Sequence, residues 1–420
     1  MTALTLIILR MILVMARSCI LTLSIVMASL LVVGGASGSQ QFADLFKAGL
    51  DAEDGGNFDT ALEKFTDALK LAPNSARTWE KRGEIYLRKG DSQSAIKDFL
   101  EAVRLDPGYS EAYVRLGFAY NAVNDYDKAV AVLSVAVKLD PGSAEAFNTR
   151  GFAFNGKNDY TSAIKDFEKA ILLNPKDPRY YNNRGFAYNG LHKYSDALKD
   201  FNKAIELDQT NAMFYNNRGV SHLRLKQYDE ALEDFDRALR INSQFVSAYH
   251  NKGMAYSGKG RHDKAVEEFS KVMEMNPNSP VLYKDRGTAY RQLGEYELAL
   301  QDFEKAISLD NKFAPGYAAL GLLRAIAPQP PIRNPVLALR FAQKAVALTN
   351  GTSPDMLETL AQVQHALNMA DAAEKSLSRA LQLDPSNHEY KELYREWTGR
   401  TQPETPALAR KRYGFFDNLW

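Results

Sequence analysis

The sequence predicts an all-α solenoid of stacked helix pairs, and two spacings carry that expectation. A glycine stands at every 34th residue: Gly49, Gly83, Gly117, Gly151, Gly185, Gly219, Gly253, Gly287 and Gly321, with no insertion or deletion between them. Twelve residues after each of the first eight comes an alanine: Ala61, Ala95, Ala129, Ala163, Ala197, Ala231, Ala265 and Ala299. A unit this short cannot bury its own apolar face, so its copies stack on one another as an array instead of enclosing a single core.

The unit from Pro178 to Asn211 shows the elements in order. Tyr181, Tyr188, Leu198, Phe201 and Ile205 recur at the spacings of a helix face, with small residues at Gly185, Ala197 and Ala204. The periodicity changes phase near Leu191 to Tyr194, which predicts two helices of about three to four turns joined by a tight turn. Ser195 is placed to cap the second helix, as are Asp59, Asp127, Thr161, Asp229 and Asp263 elsewhere. Gly185 and Ala197 are placed to face each other where the two helices cross, because small residues admit the partner's ridge. Trp79, Tyr113, Phe147, Tyr181, Tyr215, Tyr249, Tyr283 and Tyr317 fill the space beside that crossing. Pro73, Pro107, Pro141, Pro175 and Pro277 end the second helices, since proline lacks the N–H and restricts the residue before it.

The set Tyr113, Gly117, Tyr120, Ala129, Leu133, Ala136, Pro141 and the set Tyr181, Gly185, Tyr188, Ala197, Phe201, Ala204 resemble the tetratricopeptide repeat pattern. The resemblance covers Phe42 to about Asn387 and implies ten repeats in a right-handed solenoid, with first helices lining a concave surface and second helices outside. The ninth repeat departs, because Ala327 to Pro335 (APQPPIRNP) lengthens its turn. The tenth runs from Pro354 to Asn387 with Ala361, Ala373, Leu377, Ala380 and Pro385 as its marks, and His388 to Trp397 reads as a charged helix capping the last face. The expected organisation is thus a signal peptide or membrane anchor over 1–38, an array over 42–326, a proline-rich insertion over 327–335, the remaining repeats over 336–387, a capping helix over 388–400 and a basic, aromatic tail over 401–420.

Composition narrows the function. Fifty-two Lys and Arg against 51 Asp and Glu give a net charge of +1, and the signs alternate along second helices, as at Lys199, Asp200, Lys203 and Glu206. No basic stripe marks a nucleic-acid partner. The single cysteine, Cys19, excludes an intramolecular disulfide. The six histidines make no metal-ligand spacing, and there is no phosphate loop or GxSxG elbow, so the sequence predicts no enzyme, no cofactor and no metal site. Arg17, the apolar run Cys19 to Val33 and small Ala36 and Gly38 have the three parts of a secretory leader, with Met11 or Met15 as alternative starts. The apolar run has 15 residues, below the roughly 20 of a spanning helix. The leader predicts an extracytoplasmic location, a bacterial periplasm first. An uncleaved inner-membrane anchor is the alternative.

A partner-binding surface is expected on the first helices. Asn148, Asn182, Asn183, Asn216, Asn217 and Asn251 precede the shared glycines, Asn121, Asn155 and Asn189 follow them by four residues, and Phe118, Phe152, Phe186, Val220 and Met254 follow by one. Asparagine carries both a donor and an acceptor and can pair with peptide backbone whatever its side chains. Asn183, Asn217 and Asn251 are similar in position to the asparagine ladder of some long tetratricopeptide superhelices. Bonds across repeats are the other reading for these asparagines, and packing on the neighbouring repeat is the other for the phenylalanines. Arg82, Arg150, Arg184, Arg218, Lys252 and Arg286 are expected to lie over aromatic rings and pair with acids. Glu80, Phe118 and Phe152 occupy places where the family's chaperone-tail clamp needs other residues. The function expected is a non-catalytic scaffold holding a peptide or partner segment in the groove. The alternatives are an assembly component of a membrane-associated envelope or secretion complex, or a substrate-recruiting subunit of a separate enzyme. The tail, with Arg410 to Arg412 and Tyr413, Phe415, Phe416, Leu419 and Trp420, is expected to dock on a partner, a membrane or the array itself.

Overall fold

The computed structural model describes residues 38–400; the leader expected over 1–38, except for Gly38 at the start of the first helix, and the tail over 401–420, with the roles expected of them, lie outside the described residues. Twenty-one helices and no strand are present among the described residues. Helix α1 covers 38–54 and pairs with α2 (Phe58–Leu71). The next pairs are α3 (Ala76–Arg88) with α4 (Ser92–Leu105), α5 (Ser110–Ala122) with α6 (Tyr126–Leu139), α7 (Ala144–Gly156) with α8 (Tyr160–Leu173) and α9 (Pro178–Gly190) with α10 (Tyr194–Leu207). They form one compact unit ending at Leu207.

A second unit begins at Asp208. It holds α11 (Ala212–Arg224) with α12 (Tyr228–Ile241), α13 (Val246–Gly258) with α14 (His262–Met275), α15 (Pro280–Leu293) with α16 (Tyr296–Leu309), α17 (Ala314–Ile326) with α18 (Pro335–Leu348) and α19 (Pro354–Ala366) with α20 (Ala370–Leu383). Helix α21 (His388–Thr398) closes it and buries Tyr390 and Tyr394 against α19 and α20. The longer turn of the ninth repeat is the segment between Ile326 and Pro335, from which Ile332 is buried against Phe303 and Leu323.

In each of the first eight repeats the core is a large ring or aliphatic group set into a gap left by glycine. A Cβ added at Gly185 would stand 2.8 Å from the Phe201 ring, at Gly83 2.7 Å from Phe99 and at Gly117 2.3 Å from Leu133. The residue facing the glycine is therefore sixteen positions on, not the alanine twelve on. Ala197 is fully buried, but the ring of Phe201 fills the space before Gly185. In the ninth repeat the longer turn removes this partner, and Gly321 instead meets the α18 backbone, 3.0 Å from the Ala338 carbonyl oxygen.

The caps also differ from expectation. Asn57, Asp91, Asp125 and Asp159 are the N-caps, and their side chains accept from backbone N–H groups three residues on. Asp59, Asp127, Thr161, Ser195, Asp229 and Asp263 lie inside the first turn of their helices, where an acid favours the helix dipole without capping. The shift arises because the turn closes early. The residue seven after the shared glycine takes positive φ at Gly56, Gly90, Asn124, Asn158, His192, Lys226, Gly260 and Gly294, which leaves one cap residue before the helix resumes. At the other end, Ala72, Asp106, Asp140, Asn174 and Asn276 leave the helical region just before the prolines, as the sequence predicts.

Candidate partner-binding face

The first helices of successive repeats touch one another inside each unit: α3 with α5, α5 with α7 and α7 with α9 in the first, and α11 with α13 and α13 with α15 in the second. Inside each unit a second helix packs on the first helix of the next repeat, as α4 does on α5 and α12 on α13. Closer approach on one side makes that side the inner one, so the first helices present each unit's inner face.

The basic row is structural, as expected. Arg82, Arg150, Arg184, Arg218 and Arg286 each make a two-pronged pair with the aspartate sixteen residues on: Asp98, Asp166, Asp200, Asp234 and Asp302. For Arg184 and Asp200 the two contacts are 2.8 and 2.7 Å. Each guanidinium lies 4.7 to 5.9 Å from the centre of at least one flanking ring. Lys252 reaches Asp236 at 2.8 Å and Glu268 at 3.2 Å. Burial pushes the Asp98 and Asp200 carboxyls up against the pull of their arginines. These pairs fasten the first helix to the second within a repeat.

The asparagines fasten one repeat to the next. Asn121 Nδ2 donates to the Thr149 carbonyl at 3.1 Å and Asn155 Nδ2 to the Asn183 carbonyl at 3.3 Å. Asn183 Nδ2 donates to Asn148 Oδ1 at 2.9 Å, and Asn251 Nδ2 to Asn216 Oδ1 at 3.0 Å. Asn182 and Asn216 also donate to the side chains of Asn183 and Asn217. Asn121, Asn148, Asn155, Asn182 and Asn216 are buried, whereas Asn183, Asn189, Asn217 and Asn251 are half-buried. The bonds that join residues 35 apart recur with other chemistry: His250 Nε2 meets Asp285 Oδ2 at 2.7 Å, and Tyr390 donates to Asp355 at 2.5 Å. The sequence carries this link only as a spacing of 35, between two asparagines in some repeats and unlike residues in others, which a search at a period of 34 passes over.

The apolar row is open. Phe118, Phe152 and Phe186 keep 53, 47 and 51% of their surface exposed, on α5, α7 and α9 of the first unit. In the second unit Met254 is exposed and Val220 half-buried at the equivalent place. Three exposed phenylalanines on adjoining helices of one inner face are not core packing.

Near the start of the first unit lies a buried acid, at a place where the chaperone-tail clamp would need another residue. Glu80 on α3 is fully buried; Tyr109 donates to its Oε2 at 3.2 Å, while Oε1 has no partner. Burial, then the nearby charge of Glu84, push its carboxyl up to about 7. No group of three or more His, Cys, Asp or Glu side chains among the described residues is placed to hold a metal ion.

Family profiles described as tetratricopeptide or TPR repeat match 46–110, 86–150, 153–191, 178–211, 212–245, 246–279, 280–313 and 354–387. A tetratricopeptide repeat protein of solved structure from Parabacteroides merdae is 19% identical, with 60% of this chain and 99% of that chain covered at a TM-score of 0.51. The structure of MamA is 31% identical over 38% of this chain and 94% of its own at 0.36, and yeast Tom70 is 17% identical over 89% and 99% at 0.41. No curated protein matches the chain. The profiles account for nine of the helix pairs in part or in full, and the chain belongs to the tetratricopeptide repeat family.

Proposed function

We propose that the chain is a non-catalytic scaffold that holds a segment of a partner protein on the inner face of its first unit, outside the cytosol. The observation that carries this reading is the row Phe118, Phe152 and Phe186, half-exposed at the same place on three adjoining first helices. Apolar side chains left in water at a repeating position cost stability and gain it back only when covered. The family supports protein binding in general, and the first 38 residues of the sequence support the location through their leader-like order. Asn183, on α9 of the same unit, is half-buried beside this face and lends a polar group at its edge.

The phenylalanines make a cleaner test than the asparagines. Asn183→Ala would also remove the bond to Asn148 and loosen the join between repeats. The expected result is that Phe152→Ala with Phe186→Ala loses the partners co-purified with the intact chain at an unchanged melting temperature. Leu172→Ala, at an exposed site on second helix α8, keeps them. Loss of the same partners in the Leu172 variant alone would instead favour the reading as an assembly component engaged through its outer face.

A further inference from the structure

The second helices α6, α8, α10, α12 and α16 each begin with a tyrosine, at Tyr126, Tyr160, Tyr194, Tyr228 and Tyr296. Where the next first helix ends in glycine, that ring fills the space beside it. A Cβ added at Gly156, Gly190 or Gly258 would stand 2.4 to 2.5 Å from the ring of Tyr126, Tyr160 or Tyr228. The ninth repeat lacks the ring. Its long turn delivers Pro335 to the first position of α18, and Ala366 ends α19 where those glycines end their helices. A cleft of about 650 Å³ lies between them, walled by Val336, Leu339, Leu367 and Met369. Val336 keeps 78% of its surface exposed, and Met369 is exposed as well. A volume of this size admits one or two aromatic side chains.

The chain itself supplies such side chains close by. Helix α21 follows the tenth repeat as a first helix would, and Arg400 comes 34 residues after Ala366, one repeat on. Glu374 of α20 holds Arg400 at 2.7 and 2.8 Å, and Glu374 is five residues from Met369 in the cleft wall. The tail over 401–420 therefore leaves from the edge of the unit that carries the cleft, about one helix spacing of 8–10 Å away. Fifteen residues separate Arg400 from Phe415, a reach of up to about 50 Å, so length sets no limit. A segment tethered this near faces the cleft at an effective concentration on the order of millimolar, which favours it over an unlinked occupant. Charge selects the part of the tail. Arg333 and Arg340 line the cleft beside its apolar wall, and neither has an ion pair among the described residues. The run Arg410 to Arg412 is repelled there, whereas the aromatic cluster after it carries a single charge of opposite sign, Asp417.

We propose that the tail segment 413–420 folds back into the cleft between α18 and α19 of its own chain. The rings of Phe415 and Phe416 enter the space that a helix-start tyrosine fills in other repeats, and Asp417 pairs with Arg340. The site belongs to the second unit and is independent of the first unit's inner face.

The test places photoreactive benzoylphenylalanine at Val336 in the purified full chain, an exchange that a side chain 78% exposed tolerates. After irradiation, the digested chain is read by mass spectrometry. The expected product is monomeric and joins position 336 to residues 413–420, at a yield independent of protein concentration. The same probe at Val281, exposed on α15 of the same unit, does not form that link. Phe415→Ser with Phe416→Ser lowers the yield from Val336 about tenfold or more, because two buried rings are lost. Arg340→Asp lowers it about threefold, the size of one exposed ion pair, and Asp417→Arg in the same chain restores it. A link from 336 to another part of the chain, an equal tail link from Val281, a yield unmoved by the two serines, or no link at all overturns the proposal. A dimeric product that grows with concentration also overturns it and assigns the cleft to a second copy. Failure of the charge exchange to restore the yield overturns the pairing of Asp417 with Arg340. None of these outcomes bears on Phe118, Phe152 and Phe186, whose variants are read by the partners they retain.

Discussion

Gly219 leaves no room for a side chain, because a Cβ there would lie 2.6 Å from the ring of Phe235. Gly219→Val must push that ring or part α11 from α12, and the expected cost is roughly 1–3 kcal/mol, read as a lower melting temperature. An unchanged melt would contradict the packing described. Glu80 makes a prediction with a definite sign. Its folded carboxyl titrates at about 7, above its ordinary value of 4.5, so the folded state holds the proton more tightly than the unfolded one. The stabilisation from this group is complete below the ordinary value and lost as pH rises through about 7. Glu80→Gln, permanently neutral, is therefore expected to be more stable than the parent by about 1–3 kcal/mol at pH 8, with the difference shrinking toward pH 5. Denaturant titrations at the two pH values decide it; a difference independent of pH would rule out the buried acid as its source. The residues that form these sites were partly visible in the sequence. The glycine period announced a close crossing, but the ring that fills it, sixteen residues on, became identifiable only when the helices were set against each other.

A helix pair is held by two layers of polar contacts that differ in how legible they are. The arginine row was readable as structural, because Arg184 and its equivalents sit one residue before the glycine at a fixed distance from an aspartate sixteen residues on. The asparagines were readable as a row but not as a joint. Whether Asn183 turns its amide to a ligand or to Asn148 depends on the angle between neighbouring repeats, which one repeat's sequence does not encode. A double-mutant cycle on Asn148→Ala and Asn183→Ala is expected to return a coupling of about 0.5–1.5 kcal/mol, whereas Asn148→Ala with the remote Asn251→Ala should add within error. Independent effects for the first pair would mean that the bond contributes nothing to the stack. The caps were misplaced by two residues for a local reason. His192 and Lys226 adopt the left-handed conformation at places where the other repeats use glycine or asparagine, and neither residue type advertises a turn.

At the scale of the molecule, the fold class and ten-repeat count were legible because the 34-residue period is unbroken through eight repeats. The division into compact units at Leu207 and Asp208 was not, since the pattern runs across that point without a change of period or composition. The inner face was legible only as a set of candidates, and the structure sorts them: asparagines bond across repeats while the phenylalanines stay exposed, and the proposed function rests on that difference. The most direct test of that central claim is photocrosslinking in living cells from a reactive residue at Phe186, on the inner face of α9, compared with one at Lys199, on the outward side of α10. The expected result is one defined extracytoplasmic protein or peptide captured from Phe186 and absent from Lys199. Equal capture at both positions, or capture from Lys199 alone, would contradict the account.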